Sequence, residues 1–302
     1  MEDIISLFRA CFSVFDVRID VVSSAPTLLA AADQAYADWR CEADGLPSRV
    51  QIRLEPGEIE TQGEDIRVDG ARLFLRSEVA LGEADARTGQ ATARVAPWLA
   101  EDPAALAARV VDTLLLWSLT RADRTPLHAA GVMLGGAALA LAGPSGSGKS
   151  TLALAAMARG LPILSDDTLY IQLRPRLKLW GLRRPLHVFP RDAPGFTTGT
   201  RFRGGKLKAV APLAPEAFAP AAERAVVVLL ARGDRLDLTR LDPEATVAGL
   251  SQLEPGFDLL ARETAPVVGA LAARGGWRLT LTRDPGAAID FLRERLPVGI
   301  EG

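Results

Sequence analysis

Between an apolar run and a run of helix formers the chain places Gly143-Pro144-Ser145-Gly146-Ser147-Gly148-Lys149-Ser150-Thr151. Ala137-Ala138-Leu139-Ala140-Leu141-Ala142 precedes it, and Leu152-Ala153-Leu154-Ala155-Ala156-Met157-Ala158-Arg159 follows. The order predicts strand, glycine loop, helix. The spacing is G-x-x-x-x-G-K-S, which needs that context to act as a phosphate-binding loop. Its glycines let the backbone curl so that several N–H groups face one point. The helix N-terminus adds positive potential there. Lys149 is placed to neutralise β- and γ-phosphates, and Ser150 to hold Mg²⁺ through its hydroxyl.

The bulk of the chain is that of an ordinary globular protein. Its 302 residues suit one large or two modest domains, and a net charge of -2 gives no reason to expect nucleic acid or an anionic membrane as partner. Leu134 to Ala142 is apolar but too short for a bilayer, and Met1 to Ala10 carries two acids, a poor secretory signal. Cys11 and Cys41 show no metal-ligand spacing and read as reduced, packed residues of a cytoplasmic protein. Lysine is scarce: Lys149, Lys178, Lys206 and Lys208 stand against 31 arginines. In such a chain a lysine is less apt to be an idle surface charge.

Residues 1–123 read as an N-terminal α+β domain with a linking helix, and 124–302 as the catalytic domain. Val17 to Val22 alternates as a strand, Ser24 or Pro26 starts a helix through Trp39, and strands follow at Val50–Leu54, Ile66–Val68, Arg72–Arg76 and Ala91–Val95. Asp69-Gly70 signals a hairpin. No catalytic constellation stands out here, so a folding or docking role is expected. Asp102-Pro103 starts a helix to about Arg121, with Leu106, Val110, Leu114 and Trp117 on one face. The boundary is expected near Ala122 to Pro126.

In the second domain, Leu127 to Leu134 and Ala137 to Ala142 form a hairpin across Gly135-Gly136. Gly160 ends the loop helix. Leu161 to Ser165 is a short buried strand ending in Asp166-Asp167. Alone, that pair would read as a turn. At a strand end next to a phosphate loop it reads as a general base and a metal ligand. Thr168–Leu173 and Leu177–Gly181 are two strands. Arg183, Arg184, His187 and Arg191 lie in a proline-punctuated stretch, with His187 read as packed. Thr197 to Lys208 is basic and glycine-rich. It reads as a mobile loop, either solvated or a clamp over phosphates or an acidic partner, with Lys206 and Lys208 its effective residues. Arg224–Arg232 is a strand whose hairpin partner across Gly233-Asp234 is expected to be Arg235–Leu241. Helices at Asp242-Pro243, Phe257–Arg274 and Asp284-Pro285 to Leu296, and a strand at Trp277–Leu281, complete the chain.

His128, the loop and Asp166-Asp167, in this order and spacing, resemble the HPr kinase/phosphorylase family over about residues 124–210. The resemblance implies a P-loop core of the phosphoenolpyruvate-carboxykinase/HPr-kinase type, an α/β fold with a mixed sheet, here preceded by a small α+β N-terminal domain. It implies ATP and Mg²⁺, with Asp166 as the base that takes a serine proton, Asp167 at the Mg²⁺–phosphate site with Ser150, and His128 close to both aspartates. Three departures count against sugar-regulating HPr kinases. The glutamate-bearing signature after the Asp-Asp strand is not visible, Thr151 stands where the family has an acid, and the first 100 residues do not look like the family's own. The chain is more similar to shorter HPr-kinase-related proteins, some of which phosphorylate a serine of a ribosomal peptide precursor such as a lasso peptide. The implied acceptor is a peptide, protein or small molecule with a hydroxyl; a homo-oligomer is left open. A small-molecule kinase, or a nucleotide switch or ATPase, is the competing reading. Against the last, the chain lacks an apolar run ending in Asp-Glu, Leu-Ser-Gly-Gly-Gln and Asn-Lys-x-Asp.

Overall fold

The computed structural model describes residues 7–42, 47–61, 63–192, 195, 197–203, 206–252 and 260–296, the side chains of Arg191 and of 201–203 aside. Parts of three expectations therefore lie outside the described residues: the start of Met1 to Ala10, Gly204-Gly205, and residues 257–259 of the expected Phe257–Arg274 helix. The chain divides into two compact units, Met1–Arg124 and Thr125–Gly302.

The first unit is built on seven strands: β1 Phe8–Val14, β2 Val17–Ser23, β3 Val50–Pro56, β4 Asp65–Asp69, β5 Arg72–Arg76, β6 Ala80–Asp85 and β7 Gln90–Val95. They lie in the order β1-β2-β3-β7-β6-β5-β4, with β2, β3 and β7 mutually parallel and the other pairs antiparallel. Helix α1 spans Pro26–Ala35, and a 3₁₀ turn, Ala37–Trp39, follows it, so the helix expected to run on through Trp39 stops early at Tyr36. Asp102 caps the next helix by accepting the Ala105 N–H at 2.9 Å. That helix runs as α2 Pro103–Leu106, a π turn Ala107–Val111 and α3 Asp112–Thr120. By length and composition this stretch could cross a membrane. Its apolar residues Leu106, Val110, Leu114 and Trp117 are instead buried, and the Trp117 indole donates to the Ala71 carbonyl at 2.7 Å.

Cys11 and Cys41 are joined in a disulfide, with Cα atoms 5.5 Å apart. This corrects the expectation of reduced cysteines. Thirty residues separate them in sequence, but the Phe12–Arg40 bridge and the Cys41 N–H to Cys11 carbonyl bond lay the 40–41 segment against β1. The pairing is a product of tertiary contact.

In the second unit the strands are β8 Thr125–Leu127, β9 Ala129–Leu134, β10 Ala137–Ala142, β11 Ile163–Ser165, β12 Leu169–Gln172, β13 Lys178–Gly181, β14 Leu186–Val188, β15 Gly199–Arg203, β16 Lys206–Ala211, β17 Ala221–Ala222, β18 Ala225–Arg232, β19 Asp237–Leu241 and β20 Gly276–Leu281. The helices are α4 Lys149–Met157, α5 Pro243–Leu250, α6 Ala261–Ala272 and α7 Pro285–Arg295. The central sheet has the order β11-β9-β10-β18-β20-β19 and is mixed: β10, β18 and β20 are parallel, and β9 and β19 run against their neighbours. Two smaller sheets, β17-β13-β12-β8 and β14-β16-β15, flank it.

Alternation explains the apolar run before the glycine loop. Leu139 and Leu141 of β10, with Val228 and Leu230 of β18, share one core with Leu152 of α4 and Ile289 and Leu292 of α7. Ala138, Ala140 and Ala142, with Val227 and Leu229, share the opposite core with Val267, Val268 and Leu271 of α6. A strand covered on both faces has no polar position to spare. On the α4 side, Arg159 and Asp290 join that helix's end to α7 at 2.8 Å. The Arg159 hydrogen bond holds the Asp290 carboxyl below the usual carboxylate range. This tie is present at neutral pH and is lost as pH falls through the lowered value; exposed to solvent, it orients α7 more than it stabilises it.

Two expectations fail here. Arg235–Leu241 does not pair with β18: β20 lies between them, and the Gly233 N–H turns to the Leu281 carbonyl at 3.0 Å. The apolar β18 needs a covered neighbour on each side, and the half-polar β19 suits the edge. Nor is the stretch from Thr197 to Lys208 a loop throughout: its described residues include β15 and the start of β16, which pair antiparallel.

Candidate active site

Topology brings the chemistry to one edge. Strands β10 and β11 both run antiparallel to β9, which lies between them. They therefore point the same way, and the glycine loop after β10 opens at the same sheet edge as Asp166-Asp167 after β11. Strand β18 is parallel to β10, so Arg232 at its end arrives there too. The carboxyl ends of parallel strands are where open α/β sheets form ligand crevices.

The loop turns on positive φ at three glycines: 155° at Gly143, 84° at Gly146 and 111° at Gly148. A side chain at Gly143 would press on Ser147 Oγ at 2.9 Å, and one at Gly148 on Arg232 Nη2 at 3.1 Å. The Ser147 N–H donates to the Pro144 carbonyl at 3.0 Å, which closes the curl. Lys149 is buried, and its ammonium donates to the carbonyls of Gly143 at 2.6 Å and Pro144 at 3.3 Å. The cation is thus held inside the loop's curl, at the first residue of α4.

A cavity of about 230 Å³ lies over this loop. Ser145, Gly146, Gly148, Lys149, Ser150 and Thr151 line one side of it. Asp166 and Asp167 line another, with His128. Asp166 is buried, and its Oδ2 accepts the His187 N–H at 2.9 Å. The Asp166 carbonyl accepts the Ser150 hydroxyl at 3.4 Å, which ties the strand end to the loop helix. Asp167 turns the other way: its Oδ1 lies 3.5 Å from His128 Nδ1, and its Oδ2 accepts the Thr168 hydroxyl at 3.3 Å. The two carboxylates face one cavity but have different partners.

The remaining wall comes from β14 and β16. Lys206 and Lys208 both line the cavity, and they do so from a strand. Lys208 Nζ sits 3.4 Å from the centroid of the Phe189 ring. Three of the chain's four lysines thus meet at one cavity. The fourth, Lys178, packs over Trp180.

Sequence reasoning passed over five lining residues, the apolar Val188 and four that carry chemistry. His187, read as packed, lines the cavity, and its backbone N–H orients Asp166. Phe189 carries the Lys208 ammonium. Asp192 accepts the Thr151 hydroxyl at 3.4 Å and adds a third carboxylate. Arg232 places Nη2 3.5 Å from the Gly146 carbonyl, a second cation at the loop. One of 31 arginines carries no signal of its own in the sequence; only its place at the end of a strand parallel to β10 singles it out.

The donor set fits a divalent cation that arrives with phosphates. Among the described residues no group of three or more His, Cys, Asp or Glu could hold a metal alone. Mg²⁺ in phosphoryl-transfer sites takes one or two carboxylates and completes its shell with phosphate oxygens and water. Asp167 and the Ser150 hydroxyl, which both line the cavity, could hold such an ion.

No family model and no curated protein matches the chain. Among solved structures it is similar to the Hpr(Ser) kinase/phosphatase from Coxiella burnetii, at 13% identity, covering 59% of this chain and 100% of that one, with a TM-score of 0.33. The likeness is distant.

Proposed function

We propose that the chain is an ATP-dependent kinase that moves the γ-phosphate to a hydroxyl, a serine of a peptide or protein being the expected acceptor. One observation carries this reading. The carboxylate of Asp166 is aimed by the His187 N–H, while the main chain of the same residue holds the hydroxyl of Ser150, so base and phosphate loop are built as one unit.

The acceptor oxygen attacks the γ-phosphorus, the bond from that phosphorus to the β–γ bridging oxygen breaks, and ADP leaves. The hydroxyl proton passes to Asp166. The loop N–H groups and Lys149 hold the phosphates in line, and Arg232 adds charge on the far side of Gly148. When bound, Mg²⁺ neutralises charge on the β- and γ-oxygens. Asp167 and Ser150 would hold it, with His128 Nδ1 beside Asp167 at 3.5 Å.

The test is incubation with ATP, Mg²⁺ and a cell extract, read by mass spectrometry. New phosphoserine on a peptide or protein supports the reading. A phosphorylated metabolite would move it to a small-molecule kinase, and free phosphate alone to an ATPase or switch.

The lysine wall gives a separate expectation. Replacing Lys206 and Lys208 together with Ala should lower transfer by about 10²–10⁴-fold, since two charge-assisted contacts of about 1.5–3 kcal/mol each are removed. The melting curve should shift little, because Lys206 is exposed and a part-exposed cation–π contact contributes about 0.5–1 kcal/mol. Transfer at the parent rate would reduce the hairpin to a connector.

A second expectation tests the frame behind the aspartates. A Cβ at Gly181 would collide with the backbone of Leu164. Gly181→Ala should cost at least about 1–3 kcal/mol by overpacking, seen as a thermal midpoint lowered by about 2–4 °C per kcal/mol. An unchanged midpoint would mean that β11 and β13 are not so closely apposed.

A further inference from the structure

Resting on the phosphotransfer reading above, we propose that Ser165 is the positioning residue that sends Asp166 and Asp167 to their separate stations. Neighbouring residues of an extended strand point to opposite faces. A strand that ran on through both aspartates would carry one carboxylate away from the cavity. Instead β11 ends at Ser165 and the chain turns. The Ser165 hydroxyl oxygen accepts the Asp167 N–H at 3.3 Å and the Thr168 N–H at 3.2 Å. One side chain thereby fixes the two backbone donors that define the turn.

Room for this turn is prepared on both sides. The pairing of β11 with β9 shifts register between Ile163 and Ser165, so that Leu164 bulges. A Cβ on Gly131 would lie 2.9 Å from Leu164 Cβ and 2.7 Å from Leu169 Cδ2, and Gly181 abuts the Leu164 backbone from the other side. Beyond the turn, Leu169 of β12 pairs with Leu127 of β8, which brings His128 level with Asp167. Asp166 leaves the turn towards the His187 N–H, and Asp167 towards His128. Ser165 does not line the cavity; it acts through the backbone of its successors.

The experiment measures ADP release from ATP on the full chain, with water as acceptor, in the parent, S165A, S165T and S165V. Threonine keeps the hydroxyl; valine has the same shape without it. Without the hydroxyl, turnover should fall by about 10- to 100-fold, the effect of roughly an ångström of misplacement at a reacting centre. The Mg²⁺ concentration for half-maximal rate should rise by about tenfold as Asp167 loses its orientation. KM for ATP should stay within about twofold, because the loop is untouched. S165T should retain the parent's turnover and Mg²⁺ demand. If S165A fails to fold, the isosteric Thr and Val pair carries the comparison. Equal behaviour of S165T and S165V, or an S165A protein with parental turnover and Mg²⁺ demand, would overturn the assignment while leaving the kinase reading in place. A parent chain that binds no ATP and releases no ADP would instead remove the phosphotransfer reading, and this inference with it.

Discussion

Asp166→Asn should bind ATP–Mg²⁺ almost as the parent does and lose about 10²–10⁴-fold in transfer. The separation of the two effects follows from the contacts. An asparagine carbonyl oxygen can still accept the His187 N–H that now bonds Oδ2 at 2.9 Å. The Asp166 main-chain carbonyl, which takes the Ser150 hydroxyl at 3.4 Å, does not change at all. The side chain therefore keeps its place and the loop its tether; what goes is the capacity to receive a proton. Phosphoryl transfer draws most of its rate from positioning and electrostatics, so the loss is bounded rather than total. Asp167→Asn should behave differently. Its partners are His128 and Thr168, and its expected work is on the metal, so the rate should recover in part as Mg²⁺ is raised. Titration of ATP binding beside transfer rates in both variants separates these outcomes. Asp166→Asn with intact transfer would leave the Asp-Asp pair as a plain turn and end the mechanism.

What could be read in advance, and what could not, divides along the range of the interactions. The glycine loop, its strand and its helix were legible because φ > 0 at Gly143, Gly146 and Gly148 and the apolar runs on either side are local properties. The Asp-Asp strand end was legible for the same reason. Pairing was not. Alternation at Asp237–Leu241 says that a strand forms and that one face is wet, but not that β20, four tens of residues on, will insert beside β18. The lysine hairpin was hidden by its glycines and threonines, which suit a loop as well as a strand; pairing of β16 with β14 decides it. The disulfide was hidden because Cys11 and Cys41 meet only when the segment after α1 returns to β1. Arg232 and Asp192 were hidden among many like residues. Lys206 and Lys208 stood out because lysine is rare here, so composition served where periodicity was silent.

Lys149→Ala should abolish ATP use while the second unit stays folded. The ammonium is buried, and it donates to two carbonyls of its own loop, so it is a charge held in place by the groups that a phosphate would join. Removing one preorganised donor from such a site costs about 10²–10³-fold in rate, and binding falls as well, since the same charge meets the phosphates in the ground state. The fold has less at stake. The core beneath α4 is made by Leu152, Leu154 and Ala156, and the loop's curl is set by its glycines and by the Ser147 N–H bond to Pro144. Two carbonyls lose a charged donor, a cost of about 1.5–3 kcal/mol each, offset in part because a buried ammonium no longer has to be desolvated. Lys149→Arg should fail nearly as badly as Lys149→Ala. A planar guanidinium is wider than an ammonium and cannot address the Gly143 and Pro144 carbonyls from inside the curl in the same way. Calorimetric titration with ATP–Mg²⁺, turnover, and a melting curve on all three proteins test the point. Lys149→Ala with normal affinity and normal turnover would show that the loop does not handle phosphate, and the site would have to be sought elsewhere on the chain.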